Sequence, residues 1–368
     1  MTSKNAIALA LSSLFVASAA NAVTIYEDEN GDFVKLYGEV GVGGHIGANY
    51  DYGEFYADQN FIDDSFATMG VKGKNDKMHY RLELDYEREN WKGGSGDMVL
   101  AIDKVFIGYD LYKSKNQEHY VEVGLTDTAF DDYDKWGDFT FDTTVETGEA
   151  GDQDMTAKYE GRYFGSIKVG ASYTNRAESS SGSELGEIVN GYIGYFGDRF
   201  SVVAGAEARG GSDGSSSYGE QLLYGVGARI SVTDNLDLGL NAFIEEEDRS
   251  REDPTCLDNC LPGEEDPVEQ YNDFQTEDNK GYLASVRYKF SEVWEFTASY
   301  NFEEYQSWGD VNRNYSARYG KDYYSWGDER VWSTFGVNYR PTRSSVIAFE
   351  WNTGEAAQDA YAYARVYF

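Results

Sequence analysis

The stretch WEFTASYNF, from Trp294 to Phe302, determines the fold class of this chain. Apolar or aromatic residues occupy every second position, and the positions between them hold Glu, Thr, Ser and Asn. Successive side chains of a β-strand point to opposite faces of the sheet, so the stretch predicts a strand with one apolar and one polar face. Such a strand, when tilted, is also long enough to cross a bilayer.

The same alternation recurs along the chain in segments of about ten residues, which is typical of a transmembrane β-barrel. Further apolar faces are Tyr282/Ala284/Val286/Tyr288/Phe290, Leu236/Leu238/Leu240/Ala242/Ile244, Phe200/Val202/Ala204/Ala206/Ala208 and Ile167/Val169/Ala171/Tyr173. A soluble barrel or sandwich would bury these faces in its core. The polar residues Lys168, Arg287, Lys289, Glu295 and Asn301 would then cover only the outside, so we favour a barrel with a polar interior.

The composition agrees with a membrane barrel. The chain has 40 Gly, 31 Tyr and 20 Phe but only 4 Pro. Its mean hydropathy of −0.59 resembles that of a soluble protein, but a barrel that places apolar residues at every second position keeps this mean low. The net charge of −34 excludes nucleic acid as a partner, because nucleic acid is bound through Lys and Arg. Carboxylates that line a lumen would instead concentrate cations.

Short turns and longer connections alternate along the chain. The short turns are Asn75–Asp76, Ser114–Gln117, Gly161–Gly165, Gly197–Asp198, Thr233–Asn235, Ser291–Glu292 and Pro341–Thr342. The longer connections are Tyr50–Asp64, Asn90–Gly96, Thr126–Asp154, Glu178–Ser183, Gly210–Ser217, Glu246–Glu277 and Gln306–Gly327, with a brief last one at Glu355–Gln358. This pattern predicts an all-β, antiparallel transmembrane barrel of about sixteen strands, a size that leaves an aqueous channel.

The third long connection differs from the others. Thr126–Asp154, TDTAFDDYDKWGDFTFDTTVETGEAGDQD, is acidic and aromatic, and it has neither a helical period nor a clean alternation. Its five aromatic residues would have little to bury them on an outer surface; they are Phe130, Tyr133, Trp136, Phe139 and Phe141. We therefore expect the segment to fold into the barrel and narrow the pore. A surface loop of no special role is the alternative.

The N-terminal segment and the two cysteines indicate an exported protein. Lys4, an apolar run from Ala6 to Ala20 and the A-x-A site that ends at Ala22 predict a signal peptide at residues 1–22, leaving a barrel domain at 23–368. In an oxidising compartment, Cys256 and Cys260 would form a small disulfide loop.

Several stretches resemble the general trimeric porins of Gram-negative outer membranes, of the enterobacterial and vibrio type. They are IYEDENGDFVKLYGEV after the signal, FATMGVKGK, VEVGLTDTAFDDYDKWGDF at the third long connection, and the terminal Phe368. The resemblance implies a sixteen-stranded barrel, a homotrimer, contact with outer-membrane lipid and lipopolysaccharide, and a third loop that constricts each lumen. Small hydrophilic solutes would be the cargo.

The resemblance also implies acidic residues on loop three opposite a basic ladder on the wall. The acidic side is represented by Asp131, Asp132, Asp134 and Asp138. Strand parity places on the inner wall Lys35, Glu39, Thr68, Lys72, Arg81, Glu83, Asp85 and Asp103, and further inward bases at Lys158, Lys168, Arg229, Arg287 and Lys289. The mid-height positions Glu39, Thr68, Asp85 and Asp103 carry no positive charge, which predicts cation selectivity.

Other motifs do not indicate catalysis or a metal site. Gly210–Gly214 matches G-x-S-x-G, but no helix follows it, as a nucleophile elbow requires. The segment that begins at Asp132 resembles an EF-hand loop but fails at Trp136 and Thr143. His79 has no nucleophile identified nearby and is interpreted as structural. No cofactor is expected.

Three alternatives to a general diffusion channel remain open. A substrate-specific channel would need a track of aromatics or bases, and only Tyr192, Tyr361 and Tyr363 are candidates. A barrel enzyme would need a catalytic cluster, and an adhesin or receptor would act through its external loops. The long connection Glu246–Glu277 is long enough to cover or enter the pore.

Overall fold

The computed structural model describes residues 22–47, 61–90, 95–141, 149–178, 184–211, 220–251, 273–309, 326–354 and 358–368. Its strands are β1 (Val23–Glu27), β2 (Phe33–Ile46), β3 (Phe61–Asp63), β4 (Phe66–Asn75), β5 (Met78–Asn90), β6 (Ser95–Lys113), β7 (Glu118–Asp127), β8 (Asp152–Tyr163), β9 (Ile167–Glu178), β10 (Glu184–Phe196), β11 (Phe200–Arg209), β12 (Glu220–Thr233), β13 (Leu236–Arg251), β14 (Asp273–Lys289), β15 (Trp294–Gly309), β16 (Trp326–Thr342), β17 (Ser345–Gly354) and β18 (Asp359–Tyr367). A short 3-10 helix covers Asp131–Tyr133. No helix in these ranges is long and apolar enough to span a membrane.

These segments form one closed antiparallel barrel, because β2 pairs with β18 on one side and with β4 on the other. Tyr367 lies opposite Glu39 and Val23 lies opposite Leu36, so β1 continues the line of β18 along β2. Likewise β3 and β4 both pair with β2 and form one interrupted strand. In the described part of the chain, the segments thus combine into sixteen strands, which confirms the predicted fold class.

The alternation in β15 separates lipid from lumen as predicted. Trp294 and Tyr300 are 41% and 45% exposed on the outer face, whereas the side chains of Thr297 and Asn301 are fully buried on the inner face. β17 shows the same division, with Ile347, Phe349 and Trp351 exposed and Glu350 and Asn352 buried. We call the end of the barrel with the short turns the turn end, and the opposite end the loop end.

A β-bulge interrupts the alternation in β6. Glu83 of β5 pairs with Lys104, whereas Leu84 pairs with Ile102, so Asp103 is an extra residue in β6. Ile102 and Val105 both lie exposed on the outer face, three positions apart, and Asp103 hydrogen-bonds the inward side chain of Glu83. Both Asp103 and Lys104 therefore lie on the lumen side, because a bulge changes the parity of the strand.

Three sequence predictions fall partly or wholly outside the described residues. They concern the signal segment, of which residues 1–21 are not described, the pair Cys256 and Cys260, and most of the connection predicted at Glu246–Glu277. The last was predicted too long, because β13 continues to Arg251 and β14 begins at Asp273.

Candidate pore constriction

Loop three, the connection of residues 128–151 between β7 and β8, is described at 128–141 and 149–151. Its first anchors are backbone amides: Ala129 N donates to Ser172 Oγ at 3.0 Å and Phe130 N donates to Asn190 Oδ1 at 2.6 Å. Phe130 is 1% exposed, and a Cβ atom at Gly205 of β11 would lie 2.1 Å from its ring. Only glycine leaves room for this aromatic side chain on the inner wall.

The middle of loop three lies directly on the backbone of the wall. A Cβ atom at Gly227 of β12 would lie 1.9 Å from the Trp136 carbonyl oxygen, and one at Gly239 of β13 would lie 1.7 Å from the Gly137 carbonyl oxygen. Ser285 Oγ of β14 donates to the same Gly137 oxygen. Two inward glycines therefore form a seat into which the loop backbone fits.

The second half of loop three is hydrogen-bonded to β12 and β17. Arg229 Nη2 donates to the Asp138 carbonyl oxygen at 3.3 Å, and Phe141 N donates to Glu350 Oε1 of β17 at 2.8 Å. Together with the first anchors, these bonds carry residues 128–141 across the inner face from β9 to β17. The loop lies against the lumen side of the wall.

Aromatic residues of loop three also hold it against the wall. Tyr133 packs against Tyr192 with ring centroids 4.4 Å apart, and Trp136 packs against Phe196 at 5.3 Å. Trp136 Nε1 also donates to Ser201 Oγ at 3.0 Å. The polar tips of these rings bond to the wall while their apolar bodies pack together, as expected for buried Tyr and Trp.

The four predicted aspartates of loop three have different surroundings. Asp132 is exposed. Asp138 accepts hydrogen bonds from Thr140 N at 2.9 Å and Thr140 Oγ1 at 2.8 Å, and Asp134 Oδ1 accepts one from the next backbone amide at 2.6 Å. Asp131 lies beside Glu149. Sequence reasoning treated the four as equivalent, and their surroundings distinguish them.

Asp131 and Glu149 form a buried carboxyl pair at the base of loop three. Glu149 accepts hydrogen bonds from Thr128 Oγ1 at 2.9 Å and from Gly151 N at 2.8 Å. Burial and the adjacent charge of Glu149 raise the pKa of Asp131 to about 9, and burial raises the pKa of Glu149 to about 7. The pair therefore holds a proton more tightly than an isolated carboxyl does, which reduces the negative charge that it adds to the lumen.

Two groups of three carboxylates converge near loop three. One consists of Glu83, Asp85 and Asp103, the other of Asp127, Asp131 and Asp132, and within each group one oxygen from every residue lies within 4.8 Å of the others. Close carboxylates produce a strong negative potential in a narrow space.

The register pairs Lys35 with Lys72, Glu39 with Thr68 and Thr68 with Asp85, so each pair shares one face of the sheet, as expected for residues of one wall. The predicted wall residues also include Arg81, Glu83, Asp103, Lys158 and Lys168. Several are neutralised by ion pairs. Arg81 Nη2 lies 2.8 Å from Glu83 Oε2, and Arg365 Nε of β18 lies 2.7 Å from Glu39 Oε2. Of the predicted wall carboxylates, Asp85 has no described base within 4.0 Å.

The sequence did not identify Lys104, because the bulge at Asp103 reverses the parity of β6. Its ammonium group contacts Asp127 at the start of loop three and Asp152 at its end, the latter at 2.8 Å. It also lies 3.8 Å from Asp103, so it joins the two carboxylate groups. Lys104 thus adds, beside Asp103, a positive charge that the sequence analysis did not include. Arg365 was also missed, although the alternation of Tyr361 and Tyr363 would have placed it inward.

The aromatic side chains considered for a solute track do face inward. However, Tyr361 and Tyr363 are only 4% and 5% exposed, since Phe66 and Phe141 pack against them. Tyr192 is covered by Tyr133. The described residues therefore present no continuous aromatic surface to a solute at these positions.

Comparison with known proteins identifies one family and several solved structures with the same fold. A family model described as Gram-negative porin matches residues 6–344. No curated protein matches this chain significantly in sequence. Among solved structures, in-vitro folded OmpT, an outer membrane protein of Vibrio cholerae, is 13% identical and covers 94% of this chain and 100% of its own, with a TM-score of 0.62. Its trimer form is 14% identical over 91% and 99%, with a TM-score of 0.58.

Two porins from other genera have the same fold. OmpF of Salmonella typhi, in complex with daunomycin, is 16% identical and covers 94% of this chain and all of its own, with a TM-score of 0.60. An anion-selective porin from Comamonas acidovorans is 10% identical over 92% and 100%, with a TM-score of 0.59. At these identities the similarity extends to the fold alone.

Proposed function

This chain belongs to the Gram-negative porin family, and on that premise we propose that it forms a cation-preferring channel in the outer membrane. Ions and small hydrophilic solutes diffuse passively through a water-filled lumen that loop three narrows. The channel catalyses no reaction and uses no cofactor. Family membership supports an outer-membrane channel for small solutes, and the preference for cations is inferred from the lumen's own charges.

One observation carries the constriction: residues 128–141 lie on the inner face of the wall from β9 to β17. A loop in this position takes up lumen volume, and a barrel of about sixteen strands would otherwise be wide open. The exposed carboxylate of Asp132 then lies where the passage is narrow.

The preference for cations is supported by the two carboxylate groups near loop three. Lys104 offsets part of their charge, and burial beside Glu149 raises the pKa of Asp131, but Asp85 and Asp132 have no described base within 4.0 Å. Carboxylates that line a pore attract cations and repel anions. The filter proposed is therefore Asp132, Asp134 and Asp138 on the loop, facing Asp85 and Asp103 on the wall.

Export and assembly complete the proposal. Residues 1–22 act as a cleaved signal peptide, and Cys256 and Cys260 form a disulfide in the exported protein. The trimer form of OmpT supports a homotrimer, which would sit among outer-membrane lipid and lipopolysaccharide.

The test is the current of the purified protein in a planar lipid bilayer under a salt gradient. Stepwise conductance, closures in thirds and a cation-selective reversal potential are expected. An anion-selective potential would contradict the proposed filter, and folded protein without conductance would contradict the channel. Block of the current by one sugar at low concentration would favour a substrate-specific channel instead.

A further inference from the structure

The turn end of the lumen carries a belt of basic side chains, each supported by an aromatic ring. These pairs are Lys35 with Phe33, Lys72 and Arg81 with Tyr37, Lys168 with Phe196, Arg229 with Trp136, Arg287 with Phe139, Arg340 with Phe141, and Arg365 with Phe66. Each base lies within four residues of the turn end of its strand. A cation over a ring face is attracted by the ring and held in place.

Two of these bases, Arg229 of β12 and Arg287 of β14, lie on either side of β13, and Lys289 of β14 follows Arg287 on the same face; we call Arg229, Arg287 and Lys289 the basic triad. The Cζ atoms of Arg229 and Arg287 lie 5.3 Å and 4.6 Å from the same Phe139 ring centroid, so both guanidinium groups contact one aromatic ring of loop three. Arg229 pairs with Gly239 of β13, on which the Gly137 carbonyl oxygen of loop three lies.

The triad has more positive charge than its described partners neutralise. Asp237 is its only ion-pair partner among the described residues, at 2.9 Å from Arg287 Nη2 and 4.0 Å from Lys289 Nζ. No described carboxylate lies within 4.0 Å of Arg229. Arg229 Nε is buried without a hydrogen-bond partner, and its Nη2 has only the Asp138 carbonyl oxygen.

The aromatic rings hold the guanidinium groups in place, and Arg287 donates to Asp237 through Nε and Nη2, whereas Arg229 Nε donates to no described acceptor. Trp136 lies 3.8 Å from Arg229 Cζ, and Phe139 lies against both arginines. A guanidinium has five N–H donors in a planar fork that matches the oxygens of a carboxylate or phosphate. Arg287 and Lys289 keep 31% and 43% of their side chains exposed, so an anion in the lumen can reach them.

We propose that Arg229, Arg287 and Lys289 form a binding site for small oxyanions bearing a carboxylate or phosphate group at the turn end of the lumen. The anion would contact Arg287 and Lys289 from the lumen, where both are partly exposed, and Arg229 would add its positive charge from beside loop three. It rests on the proposed function only in that the lumen must admit the anion.

The experiment is calorimetric titration of the detergent-extracted, full-length protein with inorganic phosphate at low ionic strength. Citrate in a parallel titration distinguishes carboxylate from phosphate recognition. The double variant R229Q/R287Q should weaken binding about tenfold or more, since each lost charge-assisted hydrogen bond weakens binding by about that factor. Added chloride salt should weaken binding to the parent protein as well.

The matched control is R199Q. Arg199 lies in the turn before β11, at the same end of the barrel, and its side chain is 68% exposed, 3.3 Å from Asp234. This variant should keep the parent affinity. Equal affinity in R229Q/R287Q and R199Q, or no binding of either anion to the parent, would overturn the proposal.

If the double variant does not fold, K289Q replaces it, because Lys289 is exposed enough to tolerate the change. A several-fold loss of affinity is expected, and an unchanged affinity counts against the site. Bilayer conductance of the same samples separates the two proposals. A conducting protein without anion binding contradicts only the site, whereas binding without conductance contradicts only the channel.

Discussion

The two ends of the lumen differ in how their charges are paired. At the loop end, carboxylates gather in two groups, and Asp85 and Asp132 have no described base within 4.0 Å. At the turn end, inward bases lie against aromatic rings, and several inward carboxylates are paired. The ion pairs there are Lys74 with Asp110, Arg287 with Asp237 and Arg340 with Glu295.

This difference shows why net charge alone does not describe the pore. A strand of ten residues is about 33 Å long, whereas screening at physiological salt acts over about 8 Å. Charges at the extreme ends of a strand are thus screened from each other, but Arg81 contacts Glu83 and Arg365 contacts Glu39, so the two regions meet within the lumen. The local pairing of each group therefore matters more than the total charge.

Lys104 is the exception at the loop end, so its removal should have the largest effect. Lys104→Met removes the cation that Asp127 and Asp152 share. The lysine side chain is only 10% exposed, so water does not readily replace it. Breaking a buried ion pair costs about 3–5 kcal/mol of unfolding free energy. Urea unfolding in detergent micelles measures this loss.

Two further variants serve as controls for Lys104→Met. Lys113→Met removes a lysine that is 60% exposed and pairs with Glu118, and it should cost no more than about 1 kcal/mol. Lys104→Arg should recover most of the stability. A similar small loss in Lys104→Met and Lys113→Met would mean that Lys104 does not hold the ends of loop three.

The seat that divides the two ends should be the next most sensitive feature. Gly239→Ala places a Cβ atom 1.7 Å from the Gly137 carbonyl oxygen, so loop three must shift. Overpacking of this kind costs about 1–3 kcal/mol, and single-channel conductance should fall as the loop is pushed from the wall into the lumen. Gly210→Ala is the control, because its Cβ atom would meet nothing closer than 3.7 Å. An unchanged conductance in Gly239→Ala would show that loop three does not limit the current.

Charge removal on loop three tests the negative region alone. Replacing Asp131, Asp132, Asp134 and Asp138 by Asn should lower the cation-to-anion permeability ratio several-fold, equivalent to about 1 kcal/mol. The reversal potential under a salt gradient reports this ratio. Asp234→Asn, an exposed aspartate in a short turn, should leave it unchanged. If the quadruple variant keeps the parent potential, these carboxylates are not the filter.

The fold could be predicted from the sequence because its cause is local. In Trp294–Phe302 the polarity of each residue predicts which face of the strand it occupies. The inner polar face needs water or other polar groups to contact, and a lumen supplies them. Loop three could be located for a related reason, since five aromatic residues in one connection require a surface to pack against. Family resemblance supplied the rest of its expected position.

The charges at the site could be predicted only in part. The bulge at Asp103 depends on how β5 and β6 pair, and no local pattern marks it, so Lys104 was missed. The pairing of Glu39 with Arg365 joins residues from opposite ends of the chain. Burial also separated Asp131 from Asp132, which are neighbours in sequence and alike in type. Selectivity depends on these long-range arrangements more than on composition.

The smallest expected effect is a pH dependence of selectivity from the Asp131–Glu149 pair. Burial raises the pKa of both carboxyls, Asp131 to about 9 and Glu149 to about 7, so each is neutral below its pKa and negative above it. Raising the pH from 6 to 10 should therefore add negative charge beside loop three and increase the preference for cations slightly. The reversal potential, measured across this pH range, should shift in the parent and shift less in Asp131→Asn. A parent and a variant with the same pH profile would show that this pair does not reach the solute, and that the negative region is set by Asp132 and the wall.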